Sequence, residues 1–522
     1  MYAYKQAVRS ERDSATAQPS DELRIAVTFK RAGSAEGPTK FSPPLSLSSA
    51  TRFQPDPLDV DRALHHLSQL GFRPTRRGDL TVSIRGKKEL FERTFKTQLA
   101  PVKLDDKHDY AFQSFYYPPD GAPFTIPAEL HNIIDDAYIQ WPHIYMGARA
   151  RKRVAKKRVA RQQLVRPVAM AGPAGPLPSL NPPALDYFHL SVPDGVAQFL
   201  NADKVHQAGF TGKDVRVCMV DTGFAHSHPY FVKKGYRTSV DLAPHAINDA
   251  TDPNGHGTGE SANLFAVAPD ITFVGIKVDN DDDSRHGASM LEGFQQALTH
   301  NPQIISLSMG FDLRNFDNTQ QSTLPNNMAA LEAEIQAAIA KGIIVVFSSG
   351  NGHFAFPGMM PNVISAGGVF VDRQGAMQAS DYASAFPSKI YPGRFVPDFC
   401  GLVGMLPNAS YIELPIPPGS EIDAEMSKAG DGTTSNDGWG VFSGTSAAAP
   451  QLAGVCALLL QKDPKLSPSD LKSILRRTSR SVTRGAANPS SSDTGVGEPA
   501  GPGDTGATGA GLVDALAAFR QI

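Results

Sequence analysis

The stretch Gly438-Trp-Gly-Val-Phe-Ser-Gly-Thr-Ser446-Ala-Ala-Ala-Pro450, running on to Gln461, decides how this 522-residue chain is read. Ser443, Gly444 and Thr445 make a small, tightly turning approach. From Ala447 the pattern is helical, with Leu452, Val455, Cys456, Leu459 and Leu460 on one side. Ser446 is thereby placed at a helix N-terminus, where unpaired N–H groups and the positive end of the dipole favour negative charge beside its hydroxyl. Such a serine suits acyl transfer. It equally suits an ordinary cap on a core helix, and only partners elsewhere in the chain decide between the two.

Outward from this stretch, the chain from about Leu185 alternates Val- and Ile-rich strands (215–220, 271–278, 304–308, 343–348) with helical segments (201–209, 287–300, 327–341). That texture predicts a parallel sheet covered on both faces, with functional residues beyond the carboxyl ends of the strands. Asp221-Thr-Gly ends the strand 215–220 and delivers a carboxylate there, although such a turn is common in itself. Asn254-Gly-His256-Gly-Thr-Gly sets a histidine among glycines at the start of a segment, 260–267, that can run as a helix. A metal role for His256 lacks further ligands at suitable spacing: Glu260 has no third partner in view.

Asp221, His256 and Ser446 follow one another in the order known for subtilisin. The motifs Asp-Thr-Gly, His-Gly-Thr-Gly and Gly-Thr-Ser-Ala-Ala-Ala-Pro resemble the three active-site signatures of the subtilisin-like serine peptidases, over roughly residues 201–522. The resemblance implies that His256, oriented by Asp221, takes the proton of Ser446 as it attacks a peptide carbonyl. Ser348-Ser-Gly-Asn351-Gly resembles the family's oxyanion motif, so the amide of Asn351 and the N–H of Ser446 are expected to form the oxyanion hole. Ser306-Leu-Ser-Met-Gly310 resembles the substrate-binding edge. Ser308, Met309 and Gly310, with Ser349 and Gly350, are therefore the expected substrate-binding residues. Two departures stand out: Gly259 and Glu260 follow His-Gly-Thr where small and apolar residues are usual, and Phe224 follows Asp-Thr-Gly where a β-branched residue is usual.

The N-terminal part has a different pattern, with strands at 23–29, 80–84, 97–102 and 137–141, helices at 59–70 and 88–95, and Gly86 expected to close the second strand. Leu67-Ser-Gln-Leu-Gly-Phe-Arg-Pro, Leu80-Thr-Val-Ser-Ile-Arg-Gly and Leu90-Phe-Glu-Arg-Thr-Phe resemble the activation pro-domain of sedolisin and kumamolisin peptidases, which implies a folding chaperone and inhibitor. The glutamate that replaces histidine in sedolisins is not expected here, because His256 fills the subtilisin pattern. An unrelated docking module is the alternative.

The expected architecture is α/β: a subtilisin-like parallel sheet with helices on both faces at 185–522, preceded by a smaller α+β pro-domain at 1–147. The pro-domain is expected to be of split βαβ, ferredoxin-like type. A basic, Pro- and Ala-rich linker at 148–184 joins them, a mobile tether and expected processing region, with cleavage between about Arg149 and Pro183. The segment 388–436 is expected to be a surface insertion or a lid, and 485–511, rich in Gly, Ser, Pro and Thr, a flexible loop.

A formal net charge of −2 gives no whole-chain argument for nucleic acid or a membrane surface. The first residues lack the apolar stretch of a secretory signal, which leaves the compartment open with a lean to the cytoplasm of a bacterium. Cys218, Cys400 and Cys456 fit neither a disulfide framework nor a zinc site, and Cys218 and Cys456 read as buried thiols. No metal or cofactor is expected. Asp279-Asn-Asp-Asp-Asp283 invites calcium but lacks the spaced ligands of a calcium loop, and reads as a solvated turn. The expected function is a serine endopeptidase acting on protein or peptide and made as a precursor inhibited by its own pro-domain. The alternative is a catalytically silent peptide-binding protein with the pro-domain permanently docked.

Overall fold

The computed structural model describes residues 19–31, 47, 53–104, 110–119, 124–145, 178–315, 317–407, 409–488, 497–503 and 506–522. The basic run from Arg149, most of the expected linker and much of the Gly/Ser-rich segment near 490 lie outside these residues.

The N-terminal unit is built from β1 (Glu22–Phe29), α1 (Pro57–Leu70), β2 (Arg73–Arg77), β3 (Thr81–Lys87), α2 (Lys88–Phe95) and β4 (Ile134–Ile139), followed by the short β5 (Ile144–Tyr145). β1 to β4 form an antiparallel sheet in the order β2-β3-β1-β4, the arrangement of a split βαβ unit. Along β1, Leu23, Ile25, Val27 and Phe29 face α1 and α2 and join their core. The alternate residues Arg24, Ala26 and Thr28 are also buried, because the opposite face of the sheet is covered as well. Gly86 does not end its strand. A Cβ there would lie 2.5 Å from Phe72, so the glycine is where a neighbouring ring crosses β3 closely. The strand expected at 97–102 is Ala100–Lys103, paired with Ser114–Tyr117 outside the main sheet.

The larger unit contains β6 (Arg216–Asp221), β7 (Thr238–Leu242), α3 (His256–Val267), β8 (Thr272–Lys277), α4 (Met290–Leu298), β9 (Ile304–Leu307), β10 (Met309–Asp312), α5 (Ala329–Ala340), β11 (Ile344–Ser348), β12 (Ile364–Val371), β13 (Met377–Ala379), β14 (Phe399–Leu402), β15 (Ile412–Pro415), β16 (Trp439–Phe442) and α6 (Thr445–Lys462). The main sheet runs β7-β8-β6-β9-β11-β12-β13, with β14 also on β12, and every pairing except β12–β13 is parallel. Its central strands are apolar on both faces because both are covered. On β6, Val217 and Met219 enter the core with α3 and α6, whereas Cys218 and Val220 enter the core with α4 and α5.

All three cysteines are buried free thiols. Part of the segment 388–436 is not a surface insertion: Phe399, Cys400 and Leu402 extend the main sheet, and β15 pairs with β16 and with Leu190–Ser191.

The covered second face of the N-terminal sheet lies on α4 and α5. Arg85, 1% exposed, donates through Nη2 to Glu292 at 2.8 Å and to the carbonyl of Gly287 at 3.0 Å. Its Nη1 donates to the carbonyl of His286 at 3.1 Å. Glu334 on α5 accepts from the N–H groups of Asp79, Leu80 and Thr81 at 2.9, 2.8 and 2.6 Å, closing the β2–β3 turn. A polar network this deep is sustained only because nearly every member finds a partner.

Candidate active site

Asp221 is the last residue of β6, at the carboxyl edge of the sheet. Its Oδ1 accepts from the N–H of Thr222 at 2.8 Å and faces Nδ1 of His256 at 2.7 Å, with both side chains at most 1% exposed. His256 opens α3, and the following glycine makes the approach possible: a Cβ on Gly257 would lie 2.3 Å from the carbonyl of Gly223 and 2.9 Å from Cβ of Asp221. Burial alone would depress the imidazole. The charge and hydrogen bond of Asp221, with Glu260 and Asp252 nearby, outweigh it and push the pKa to about 9.

Asp252 has no counterpart in the sequence reading, yet it ties the two motifs together. Its Oδ1 accepts from Thr222 Oγ1 at 2.8 Å and the N–H of Gly255 at 3.0 Å, and its Oδ2 from the N–H and hydroxyl of Thr258 at 2.9 and 2.7 Å. The β6 turn and the first turn of α3 are thus fixed to one carboxylate. The only signal in the chain is an aspartate four residues before the histidine.

Ser446 is the second residue of α6, as the motif predicts. Pro450, inside the helix, has no N–H to give to the Ser446 carbonyl, and Ser308 Oγ donates to that carbonyl instead at 3.0 Å. The helix mouth is thereby joined to the residue that precedes β10. Oγ of Ser446, Nε2 of His256 and Oε1 of Glu260 are buried without hydrogen-bond partners.

Asn351 follows β11, and its Oδ1 accepts from the N–H and hydroxyl of Thr445 at 3.0 and 3.1 Å. Since the carbonyl end of the amide is turned to Thr445, the NH2 end is the other branch. Ser349 and Gly350 brace this loop. The N–H of Ser349 bonds to Ala366 at 2.9 Å, its hydroxyl to the Ser384 carbonyl at 3.2 Å, and the N–H of Gly350 to Thr445 Oγ1 at 3.1 Å.

Met309 and Gly310 lie on β10, whose edge is occupied. β5 pairs with it antiparallel, Tyr145 opposite Met309 and Ile144 opposite Gly310. The Tyr145 ring lies 6.4 Å from that of His256, and its hydroxyl donates to Oδ1 of Asp279. Burial and the carboxylates of Asp252 and Asp221 raise Asp279 to about 8 against the opposing pull of Tyr145 and Lys277. Two more carboxylates of the acidic run are engaged: Asp281 accepts from Lys277 Nζ at 2.6 Å, and Asp283 from Arg285 Nη2 at 2.6 Å. Gly259 has a packing role, since a Cβ would meet Phe442 at 2.6 Å and Ile416 at 3.1 Å.

Residues 212–503 match the model of the subtilase family, peptidase S8. Subtilisin of Bacillus pumilus is 25% identical over 305 residues, which cover 55% of this chain and 91% of that one. Serine protease AprX of Bacillus subtilis is 29% identical over 294 residues, 51% of this chain and 61% of its own length. Subtilisin E of the same species matches over 66% of its length. Among solved structures, fervidolysin from Fervidobacterium pennivorans, described as a keratinolytic enzyme related to subtilisin, superposes with a TM-score of 0.54 at 16% identity. That match covers 97% of this chain and 62% of fervidolysin, and it is a likeness of fold.

Proposed function

The chain belongs to the subtilase family of serine peptidases, and from that premise we propose that it is an endopeptidase whose catalytic groups are Asp221, His256 and Ser446, made as a precursor. The observation that carries the reading is the buried 2.7 Å contact of His256 Nδ1 with Asp221, made by the histidine whose Nε2, like the hydroxyl of Ser446, is buried without a hydrogen-bond partner. Asp221 fixes the tautomer with the proton on Nδ1, so Nε2 is the base. Nε2 takes the proton of Ser446 as Oγ bonds to the peptide carbonyl carbon, then delivers it to the departing amine. Water next attacks the acyl-enzyme with the same base and releases the second product. The amide NH2 of Asn351 and the N–H of Ser446, at the mouth of α6, receive the oxyanion.

The N-terminal unit acts as the inhibitor. β5 takes the place an extended substrate takes on β10, and the rest of the unit is locked to α4 and α5 through Arg85, Glu292 and Glu334. The register runs from Gly310 towards Ser308, which is bonded to Ser446, so Tyr145 is the end of β5 nearer the nucleophile. The first cut then falls just after Tyr145, ahead of the basic run that begins at Arg149; a cut within that run is a second, later event. Incubating the purified chain and its Ser446→Ala variant, then mapping new N-termini by mass spectrometry, tests both statements. Wild type alone should yield an N-terminus close behind residue 145 and hydrolyse a peptide library. Identical fragments from both proteins, or no hydrolysis after the N-terminal unit is removed, would defeat the proposal.

A further inference from the structure

Glu260 lies one helical turn after His256 on α3, and nothing in the roles assigned above requires a carboxyl there. It is fully buried. Its Oε2 accepts from Asn263 Nδ2 at 2.9 Å, Asn263 Oδ1 accepts from Gln451 Nε2 at 3.1 Å, and Gln451 Oε1 accepts from the N–H of Leu402 at 2.7 Å. This relay of amides, from α3 through α6 to β14, holds the carboxyl in one orientation. Its other oxygen, Oε1, is 4.0 Å from Nε2 of His256. It has no hydrogen-bond partner, and neither do Nε2 and Ser446 Oγ. A buried carboxyl oxygen left open costs stability unless the site uses it.

We propose, resting on the catalytic reading above, that Glu260 is a positioning residue of the reaction centre: Asp221 holds the Nδ1 side of the imidazole and Glu260 faces the Nε2 side. There it stabilises the imidazolium that forms when the Ser446 proton is transferred. The proton moves from Oγ to Nε2 and on to the leaving amine; Glu260 neither gains nor loses one during turnover.

The groups facing this pair are Asp221 from the end of β6, Asp252 from the loop before α3, Ser446 from α6, Asn263 on α3 and, while β5 is docked, the Tyr145 ring. Burial lifts Glu260 to about 7. The charge of His256, the nearby Ser446 hydroxyl and the hydrogen bond from Asn263 pull it back, and Asp221 pushes it further up. In return, Glu260 is one of the charges that raise His256. Removing that charge lowers the imidazole's pKa, so the base becomes free at lower pH.

The test is the pH dependence of kcat/KM for a peptide substrate, measured on the processed wild type and on Glu260→Gln, which keeps the side-chain shape and an acceptor for Asn263. The acid limb is expected to move down by about one pH unit. An NMR titration of the His256 imidazole should move the same way. Glu260→Asp, measured alongside, keeps the charge and should hold the limb near its wild-type position whatever its overall rate. A limb that stays in place in Glu260→Gln, or that moves equally in Glu260→Asp, would overturn the inference, as would an unshifted imidazole titration. Loss of the catalytic reading itself would look different: wild type would then hydrolyse nothing.

Discussion

Arg85→Ala is the sharpest way to loosen the N-terminal unit without touching the proposed active site. The guanidinium is 1% exposed and its partner Glu292 is fully buried, so solvent screening does little to weaken the pair. Removing Arg85 deletes bonds to Glu292 and to the carbonyls of Gly287, His286 and Pro244, and strands a carboxylate that Arg85 now holds below its ordinary range against burial. Breaking a buried pair from one side costs about 3–5 kcal/mol, which corresponds to a docking equilibrium weakened roughly 150- to 5,000-fold.

The assay is amide hydrogen exchange in a Ser446→Ala background, where self-cleavage cannot separate the units. Leu80, Thr81 and Tyr145 should exchange faster by about that factor, while α6 stays protected. Adding Glu292→Gln should recover part of the loss, because the stranded charge is then gone. An acceleration of less than about tenfold, or no recovery in the double variant, would show that this ion pair does not hold the units together.

Other outcomes follow from the same contacts. Glu334, ordinarily near 4.5, is raised to about 7 by burial against the opposing hydrogen bonds of Leu80, Thr81 and Asp79, so the docked form binds the extra proton. Its contribution to docking is complete below about 4.5 and lost as pH rises through about 7, worth about 3 kcal/mol in all. Docking measured by exchange should weaken across that window, and Glu334→Gln should flatten the dependence; an unchanged slope would show that another group is responsible. Asn351→Ala should lower kcat by about 100- to 1,000-fold with little change in KM, and a tenfold or smaller loss would remove Asn351 from the oxyanion hole. Asp279 should favour tyrosine over phenylalanine at the substrate position that Tyr145 mimics, by about tenfold; Asp279→Leu should erase the preference, and a peptide library that shows none in wild type would count against β5 as a substrate mimic.

Much of the proposed site is legible in the chain because its parts are short and contiguous. Asp221 ends an apolar strand, His256 stands among glycines, and Ser446 precedes a helical run, so each is placed by its immediate neighbours. The central strands are equally plain, being apolar on both faces. Residues that act across long separations were not readable. Asp252 and Asp279 sit in polar loops that look solvated until Thr258 and Tyr145 reach them. β2, Arg73-Pro-Thr-Arg-Arg77, has no apolar alternation because it is a largely exposed edge strand. The segment 388–436 looked like an insertion because its prolines and glycines hide short strands whose burial depends on β12 and β16. Gly86 read as a strand end and Gly259 as a departure from the family pattern, and both are places where a ring, Phe72 or Phe442, comes close.

The proposed mechanism rests on Ser446 as a nucleophile activated by His256 and Asp221. A serine-reactive phosphonate applied to the protein after removal of the N-terminal unit, with the adduct located by tandem mass spectrometry, tests it most directly. One adduct is expected, on Ser446, formed at least a hundredfold more slowly in His256→Ala and absent in Ser446→Ala. Labelling that persists in Ser446→Ala, or a wild-type adduct on any other residue, would contradict it.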